Sequence, residues 1–362
     1  MSLVLNGTTG ITNLPSINSG QIGGRRNIVI NGEMKVAQRS TSETGLGAAS
    51  GYFTLDRWKM LEGAASAGRY TMAQVADGPE GIANCLKLST TTADTSIAAG
   101  EYLIIQTVFE GQDVQQLKKG TASAEQVTVS FWVKGNAAAL YVCELNDVDN
   151  TRVITQSFAV TTSWNRIELT FAADTSDPLD DDNAGSFAIN IWLHAGSDNT
   201  SGTFAVNTWN DLTAANRYAV ADRTSIFDST DRTFFITGIQ MEIGSTATDF
   251  ESRSYGEEFS LCERYYEVAT IDTSMPITGI CYSNGVAAVG YLRFRTKKRA
   301  SPSVAFSGAA RLVFPSNIGG TSGTLTSNVI NTDAANFVST TTIGTASAGW
   351  FDGFSIYASA EL

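Results

Sequence analysis

Between Asn27 and Phe250, apolar side chains recur at every second position in burst after burst. Val127, Val129, Phe131 and Val133 alternate with other residues in "VTVSFWV". Ile167, Leu169 and Phe171 do so in "RIELTF", and Phe187, Ile189, Ile191 and Leu193 in "FAINIWL". In "TFFITGIQMEI" the same reading places Phe235, Ile239, Met241 and Ile243 on one face. A period of two sends successive side chains to opposite faces, so each burst predicts a β-strand with one buried face. Gly, Asn, Asp or Ser bounds each burst, as turns between antiparallel strands require. Such strands in series predict a β-sandwich. The long intervening loops at 174–186 and 195–232 are where recognition residues commonly sit.

Composition agrees. The chain is 43% hydrophobic but only 17% charged, below the usual quarter. Its surface polarity must come from Thr, Ser, Asn and Gly, which suit strands and turns better than helices. A length of 362 residues leaves room for more than one domain. The formal net charge of −12 argues against a nucleic-acid partner, because phosphate binding needs a basic field. Cys85, Cys143, Cys262 and Cys281 are too dispersed for a metal motif and too few for a disulfide scaffold, so they read as reduced core thiols. The opening "MSLVLNGTTG" lacks the pattern of a signal peptide, and no window reaches the ~18 apolar residues of a membrane span. No membrane insertion is expected, and synthesis in a cytoplasm is.

Residues 1–26 carry Gly or Pro every few positions and predict an extended arm or an anchor ordered by a partner. In "SRSYGEEFSLCERYYEV", Ser254 and Glu257 form a capping box. Phe259, Cys262 and Tyr266 make one stripe, and Leu261, Tyr265 and Val268 a second, so a helix over 254–268 is predicted with two apolar sides. Such a helix suits packing between two domains or against its own copies at a symmetry axis. Strand signals return from 269 to 362, enough for a second, smaller β-sandwich. The expected fold is therefore all-β: a large sandwich over 27–253, a connecting helix over 254–268, a smaller C-terminal sandwich over 269–362, and an extended N-terminal segment.

Several stretches follow one another in a recognisable order: "GRRNIVINGEMKVAQRS", "YFTLDRWKM", "VTVSFWVKG", "TRVITQSFAVTTSWNRIELTF" and "FFITGIQMEIGSTATDFESRSYGEEFSLCERYYE". Together, over roughly residues 24 to 267, this set resembles bacteriophage tail-fibre and related virion proteins with a carbohydrate-binding-module-like jelly roll. The opening "MSLVLNGTTGIT" is similar to attachment segments of such fibres, and the C-terminal part resembles their variable tips. "YLRFRTKKRASPSV" stands where a common M-R-x-x-P turn would lie, without its Met. The resemblance implies a homotrimeric, non-enzymatic virion protein. It would attach to a tail or capsid protein through residues 1–26 and adhere to host surface polysaccharide. The location implied is the virion, after synthesis in the bacterial host cytoplasm.

Three candidate sites emerge. Trp132, Trp192 and His194 alternate away from the inward faces of their strands. With Asn190 they could share a glycan-binding face if the two strands are neighbours, the competing reading being burial under a loop or the other sheet. Arg293 and Arg295 in the basic run to Arg299 could meet an anionic polysaccharide or a neighbouring subunit, or protect an edge strand. The acidic loop "DTSDPLDDDNAGS" offers Asp180 and Asp182 as oxygen ligands for a structural calcium, although no Glu closes the loop and a solvated acidic loop competes. Phe259, Leu261, Tyr265 and Tyr266 are the residues expected at a trimer interface.

Enzymatic readings are weaker. The chain has one histidine and no G-x-S-x-G or phosphate-binding loop, and no short repeat of a depolymerising β-helix is visible. Two carboxylates would suffice for a glycosidase, so that alternative stays open. A head-fibre or capsid-decorating role is the other alternative. The polar cluster of "NIVINGEMKVAQRS" is read as framing a sandwich corner. Asn27, Asn31, Gln38 and Arg39 would satisfy backbone groups around a kink, with Arg57 and Trp58 packed nearby.

Overall fold

The computed structural model describes residues 16–17, 20–21, 25–63, 66–272, 274, 276–281, 288–314, 317–322, 325–339 and 348–362. Most of the expected N-terminal attachment segment, 1–26, lies outside them. Two compact units meet in sequence at Arg253 and Ser254.

In the first unit, a two-rung ladder of β1 (Ser16–Ile17) and β2 (Gly20–Gln21) precedes the main strands. These are β3 (Ser42–Leu46), β4 (Lys59–Gly63), β5 (Arg69–Val75), β6 (Cys85–Thr92) and β7 (Tyr102–Glu110). After the short helix α1 (Gly111–Val114) come β8 (Val127–Gly135), β9 (Ala139–Asp147), β10 (Arg152–Val160), β11 (Asn165–Phe171), β12 (Gly185–Ala195), β13 (Asn210–Asp211) and β14 (Thr233–Ile243). They form two antiparallel six-stranded sheets, one ordered β13-β10-β9-β12-β7-β4 and the other β11-β8-β14-β6-β5-β3. The chain passes repeatedly from one sheet to the other, the connectivity of a jelly roll.

One apolar core fills the space between the sheets. Val127, Val129, Phe131 and Val133 of β8 meet Phe187, Ile189, Ile191 and Leu193 of β12, all buried in a single cluster. Phe131 of one sheet packs edge-on against Phe158 of the other, with centroids 5.0 Å apart, and Tyr141 does the same with Phe234 at 5.5 Å. Edge-to-face contacts set the positive ring edge against the negative face of the next. Cys85 and Cys143 are buried and free, and burial pushes the Cys85 thiol up to about 11.

Residues 27–40 close one corner through a turn, as the sequence implied. Asn27 Oδ1 accepts from Val29 N and Met241 N, and its amide donates to Ile239 O. Asn31 sits at φ 59°, a left-handed conformation that Asn tolerates, and its amide ties Val36 and Asp56 to the turn. The Trp58 indole donates to Asn31 O.

The second unit opens with α2 (Tyr255–Glu263), capped by the Ser254 hydroxyl accepting from Glu257 N. The expected helix to residue 268 is therefore too long. Tyr266 already begins β15 (Tyr266–Ile271), which pairs along its whole length with the final strand. The run Tyr-Glu-Val-Ala-Thr-Ile is richer in strand formers than helix formers, and the pairing settles it. Then follow β16 (Ile277–Cys281), β17 (Ala288–Arg293), β18 (Ser303–Phe314), β19 (Asn317–Ser322), β20 (Leu325–Ile330), β21 (Ala334–Ser339) and β22 (Ala348–Ser359). All eight strands join one hydrogen-bonded sheet. One edge of β22 pairs first with β16 and then with β15, while β18 runs along the other. The sheet folds over itself, bringing Phe337 of β21 within 5.8 Å of Phe306 on the non-adjacent β18. A second small core forms there, with Phe351, Phe354 and Ile356. No described helix is long and apolar enough to cross a membrane.

Candidate glycan-binding face

The outer face of the sheet β11-β8-β14-β6-β5-β3 is open over part of its surface. Its key side chain is Phe235, which the simple alternation placed inward. The structure puts Phe234 and Ile236 in the core instead, then Ile239 and Met241. Between them Gly238, at φ +60°, inserts one extra residue opposite β8, so the ladder shifts between Thr237 and Gln240. A bulge of this kind reverses the parity of every side chain beyond it. Phe235 consequently points outward and is half-buried.

Register then assembles a row across the strands. Phe235 lies opposite Lys134 of β8 on one side and Lys87 of β6 on the other, and Lys87 lies opposite Ala73 of β5. Trp164, one residue before β11, completes the row beside Lys134. The Lys134 ammonium sits 4.9 Å from the centroids of both Trp164 and Phe235, and the Lys87 ammonium 5.3 Å from Phe235. Aromatic and cation thus alternate, each ammonium held against the negative ring face. Two residues along the strands runs a second row of small hydroxyls. Thr233, Ser89 and Thr71 are cross-strand neighbours, and the Thr71 hydroxyl bonds that of Thr44 at 2.9 Å. Aromatic faces suit the weakly positive C–H faces of sugar rings, and hydroxyls and ammonium groups suit their oxygens.

Of the residues singled out from sequence, Trp132 lies on this same outer face. It is half-buried near Gly238 and opposite Thr237, beside the open row and not in it. The other three belong to the opposite sheet, so the expectation that they share a face with Trp132 does not hold. Trp192 is fully buried, stacked on Tyr218 at an interplanar angle of 19° with the Arg217 guanidinium 4.7 Å from its ring. Asn190 donates to Glu144 and accepts from Gln106, while Arg217 donates to both Glu144 oxygens. His194 is enclosed too, with Nδ1 2.8 Å from the Ser225 hydroxyl and Nε2 3.3 Å from Glu101. The segment between β12 and β14 lies over these side chains and supplies Arg217, Tyr218 and Ser225.

The remaining candidates have internal partners. In the second unit, the Arg295 guanidinium pairs with Glu263 at 2.6 Å, lies over Phe259 and donates to Val268 O. Lys298 is buried against Glu267, and Arg299 donates to the carbonyls of Ala360 and Glu361. Arg293, at the end of β17, is exposed, as are Arg295 and Lys297, and β17 lies between β16 and β21 and is no edge strand. The basic run is thus mostly an internal counter-charge. Tyr265 and Tyr266 are buried, while Phe259 and Leu261 are half-buried.

Asp180 and Asp182 are exposed, and Asp182 spends a carboxylate oxygen on Ala184 N. Among the described residues no group of three His, Cys, Asp or Glu side chains could hold a metal. The oxygen-rich part of that loop lies nearer its start and surrounds Lys119. Trp164, Lys134, Phe235 and Lys87 were missed because the Phe235 parity was misread. The glycine inside "FFITGIQ" was the available signal, since glycine within a strand pattern marks a bulge.

No protein-family model matches the chain, and no curated protein sequence does. Solved structures similar to it include a family 11 carbohydrate-binding module from a cellulosomal cellulase of Clostridium thermocellum. That match has 15% identity and a TM-score of 0.27, covering 56% of this chain and 99% of that one. A family 4 carbohydrate-binding module matches at 9% identity and a TM-score of 0.30, over 59% of this chain and 97% of that one. The enzymatically active domain of tailspike protein 4 of bacteriophage CBA120 matches at 12% identity and a TM-score of 0.30, over 60% of this chain. The chain covers only 21% of the length of that tailspike domain.

Proposed function

We propose that the chain is a non-enzymatic adhesion protein of a virion, which holds a host surface glycan on the outer face of the sheet β11-β8-β14-β6-β5-β3. The observation that carries this reading is the open row Trp164, Lys134, Phe235 and Lys87 with its neighbouring hydroxyls. The ordered motifs shared with tail-fibre proteins support the virion setting. In that setting residues 1–26 attach to a tail or capsid protein, and a homotrimer presents three faces at once. Weak single-site contacts then gain through effective concentration.

The test is binding of the intact chain to purified surface polysaccharide from candidate hosts, followed by isothermal titration. Trp164→Ala combined with Phe235→Ala is expected to abolish binding while the fold, read by circular dichroism, persists. Unchanged affinity in the double variant sinks this site. A fall in polymer length during incubation sinks the non-enzymatic role. Light scattering at micromolar concentration is expected to give three times the mass of the chain.

A further inference from the structure

We infer that Lys298 and Glu267 condense to a side-chain amide, a covalent cross-link that the folded chain forms within its second unit. The Lys298 nitrogen stands 2.5 Å from Glu267 Oε2, and the two side chains are 0% and 2% exposed. Its other acceptor is the Glu263 carbonyl, also at 2.5 Å. The ring of the buried Phe294 closes one side of the site, 4.9 Å from the nitrogen. Two opposite charges repay their desolvation poorly in such a place, and condensation removes both.

The surroundings favour the neutral amine, the form that attacks. Burial holds the Lys298 amine below its ordinary range, outweighing the pull of Glu267 and Glu263. Burial likewise raises the Glu263 carboxyl, against the pull of the Arg295 guanidinium. Lys119 gives the contrast. It too lies 2.5 Å from a buried carboxylate, that of Asp147. There Asp174 and the carbonyls of Ser176 and Asp177 accept from the same nitrogen and keep it an ammonium.

The step balances within the chain. The ammonium proton passes to Glu267 across the contact, leaving an amine beside a carboxylic acid. The nitrogen then attacks Glu267 Cδ, forming a C–N bond and placing negative charge on a carboxyl oxygen. Arg295 N lies 3.2 Å from both Glu267 oxygens, so its N–H donates to that oxyanion. Glu263 and Glu267 meet at the same guanidinium nitrogen, 2.6 and 3.5 Å from Arg295 Nε. Glu263 is thereby placed to take a proton from the new amide nitrogen and give it to the departing hydroxyl. The C–O bond breaks and one water leaves. Nothing is oxidised or reduced, and the dry site resists the reverse hydrolysis.

The amide ties the start of β15 to the loop between β17 and β18, 31 residues further on. The chain enters this unit through α2 and β15. A pull from that end meets the cross-link before it can peel the rest of β15 from β22.

The test is mass spectrometry of the intact, folded chain. Its mass is expected to fall short of the sequence mass by one water. Tryptic mapping should join the peptide containing Glu267 to the one containing Lys298, with Lys119 and Asp147 unlinked. Lys298→Arg keeps the charge and should restore the full mass. Glu263→Gln should slow cross-linking about a hundredfold, in the range of general acid–base catalysis. A folded parent that keeps its full mass on prolonged incubation overturns the inference. So does a water lost elsewhere in the chain with Glu267 and Lys298 unlinked. Cross-linking of Glu263→Gln at the parental rate overturns the role given to Glu263. The parent mass decides without any variant and does not depend on glycan binding.

Discussion

The ammonium of Lys119 stands 2.5 Å from Asp147 Oδ2 inside a cage of oxygens. Asp174 Oδ2 lies at 3.1 Å, and the carbonyls of Ser176 and Asp177 accept from the same nitrogen at 2.9 and 2.8 Å. Two carboxylates and two carbonyls around a point form a ligand set suited to a hard cation. Here the chain supplies its own. Lys119→Ala leaves Asp147 buried without that charge and is expected to cost about 3–5 kcal/mol, as removal of one member of a buried ion pair does. Millimolar Ca²⁺ should then raise the melting temperature of the variant and leave the parent unchanged. A variant as stable as the parent would show that the cage contributes little.

Gly238 sets which face carries Phe235. Its φ of +60° is costly for any residue with a Cβ, and that atom would meet Ile82 Cδ1 at 2.7 Å and Trp132 Cδ1 at 3.1 Å. Gly238→Ala is expected to destabilise the first unit by more than about 1 kcal/mol. Affinity at the aromatic row should fall with it, because the bulge aims that row. Urea melts and titration check the two effects together, and an unchanged melt would mean that the bulge tolerates a side chain.

Acid should weaken the first unit through His194. Burial holds its imidazole below the ordinary 6.5, outweighing the opposite pull of Glu101 and Asp94. The folded chain therefore takes up this proton less readily than the unfolded chain. The stability contributed by the neutral ring is complete above about pH 6.5 and is lost as pH falls below that value. Asp94 acts in a separate window. Burial raises it, but bonds from Ser66, Ser96 N and Ala67 N outweigh burial and hold it below 3.8, so its share is lost only nearer pH 4 and lower. His194→Gln should flatten the stability profile between pH 6.5 and 5 and leave the lower limb intact. A wild-type profile already flat over that range would refute the assignment.

The inward faces of β8 and β12 were legible because alternation alone decides them: Val129, Phe131, Ile189 and Ile191 are all buried. The corner at Asn31 was legible because planar amides beside a glycine have few other uses. The other face of β12 was not legible. Its cover, Arg217 and Tyr218, comes from a segment with no periodicity of its own. The buried Glu144 that fixes Arg217 lies on a different strand. The end of α2 was misread because aromatic residues fit a helical stripe and a strand equally well, and pairing with β22 decided between them. The candidate site itself depended on one glycine and on register between non-consecutive strands, neither of which a single alternating pattern encodes.

Arg217 and Trp192 separate architecture from recognition. The Arg217 side chain covers the Trp192 ring and bonds both oxygens of Glu144, which is fully buried. Arg217→Ala leaves that carboxylate without its counter-charge and is expected to cost about 3–5 kcal/mol. Trp192→Ala opens a cavity at a cost of similar size. Neither residue lies on the sheet that carries the aromatic row. Below their melting temperatures, both variants should therefore bind glycan with parental affinity while Trp164→Ala does not. If Trp192→Ala or Arg217→Ala abolishes binding in a folded protein, the ligand lies under the β12–β14 segment and the open row is surface packing.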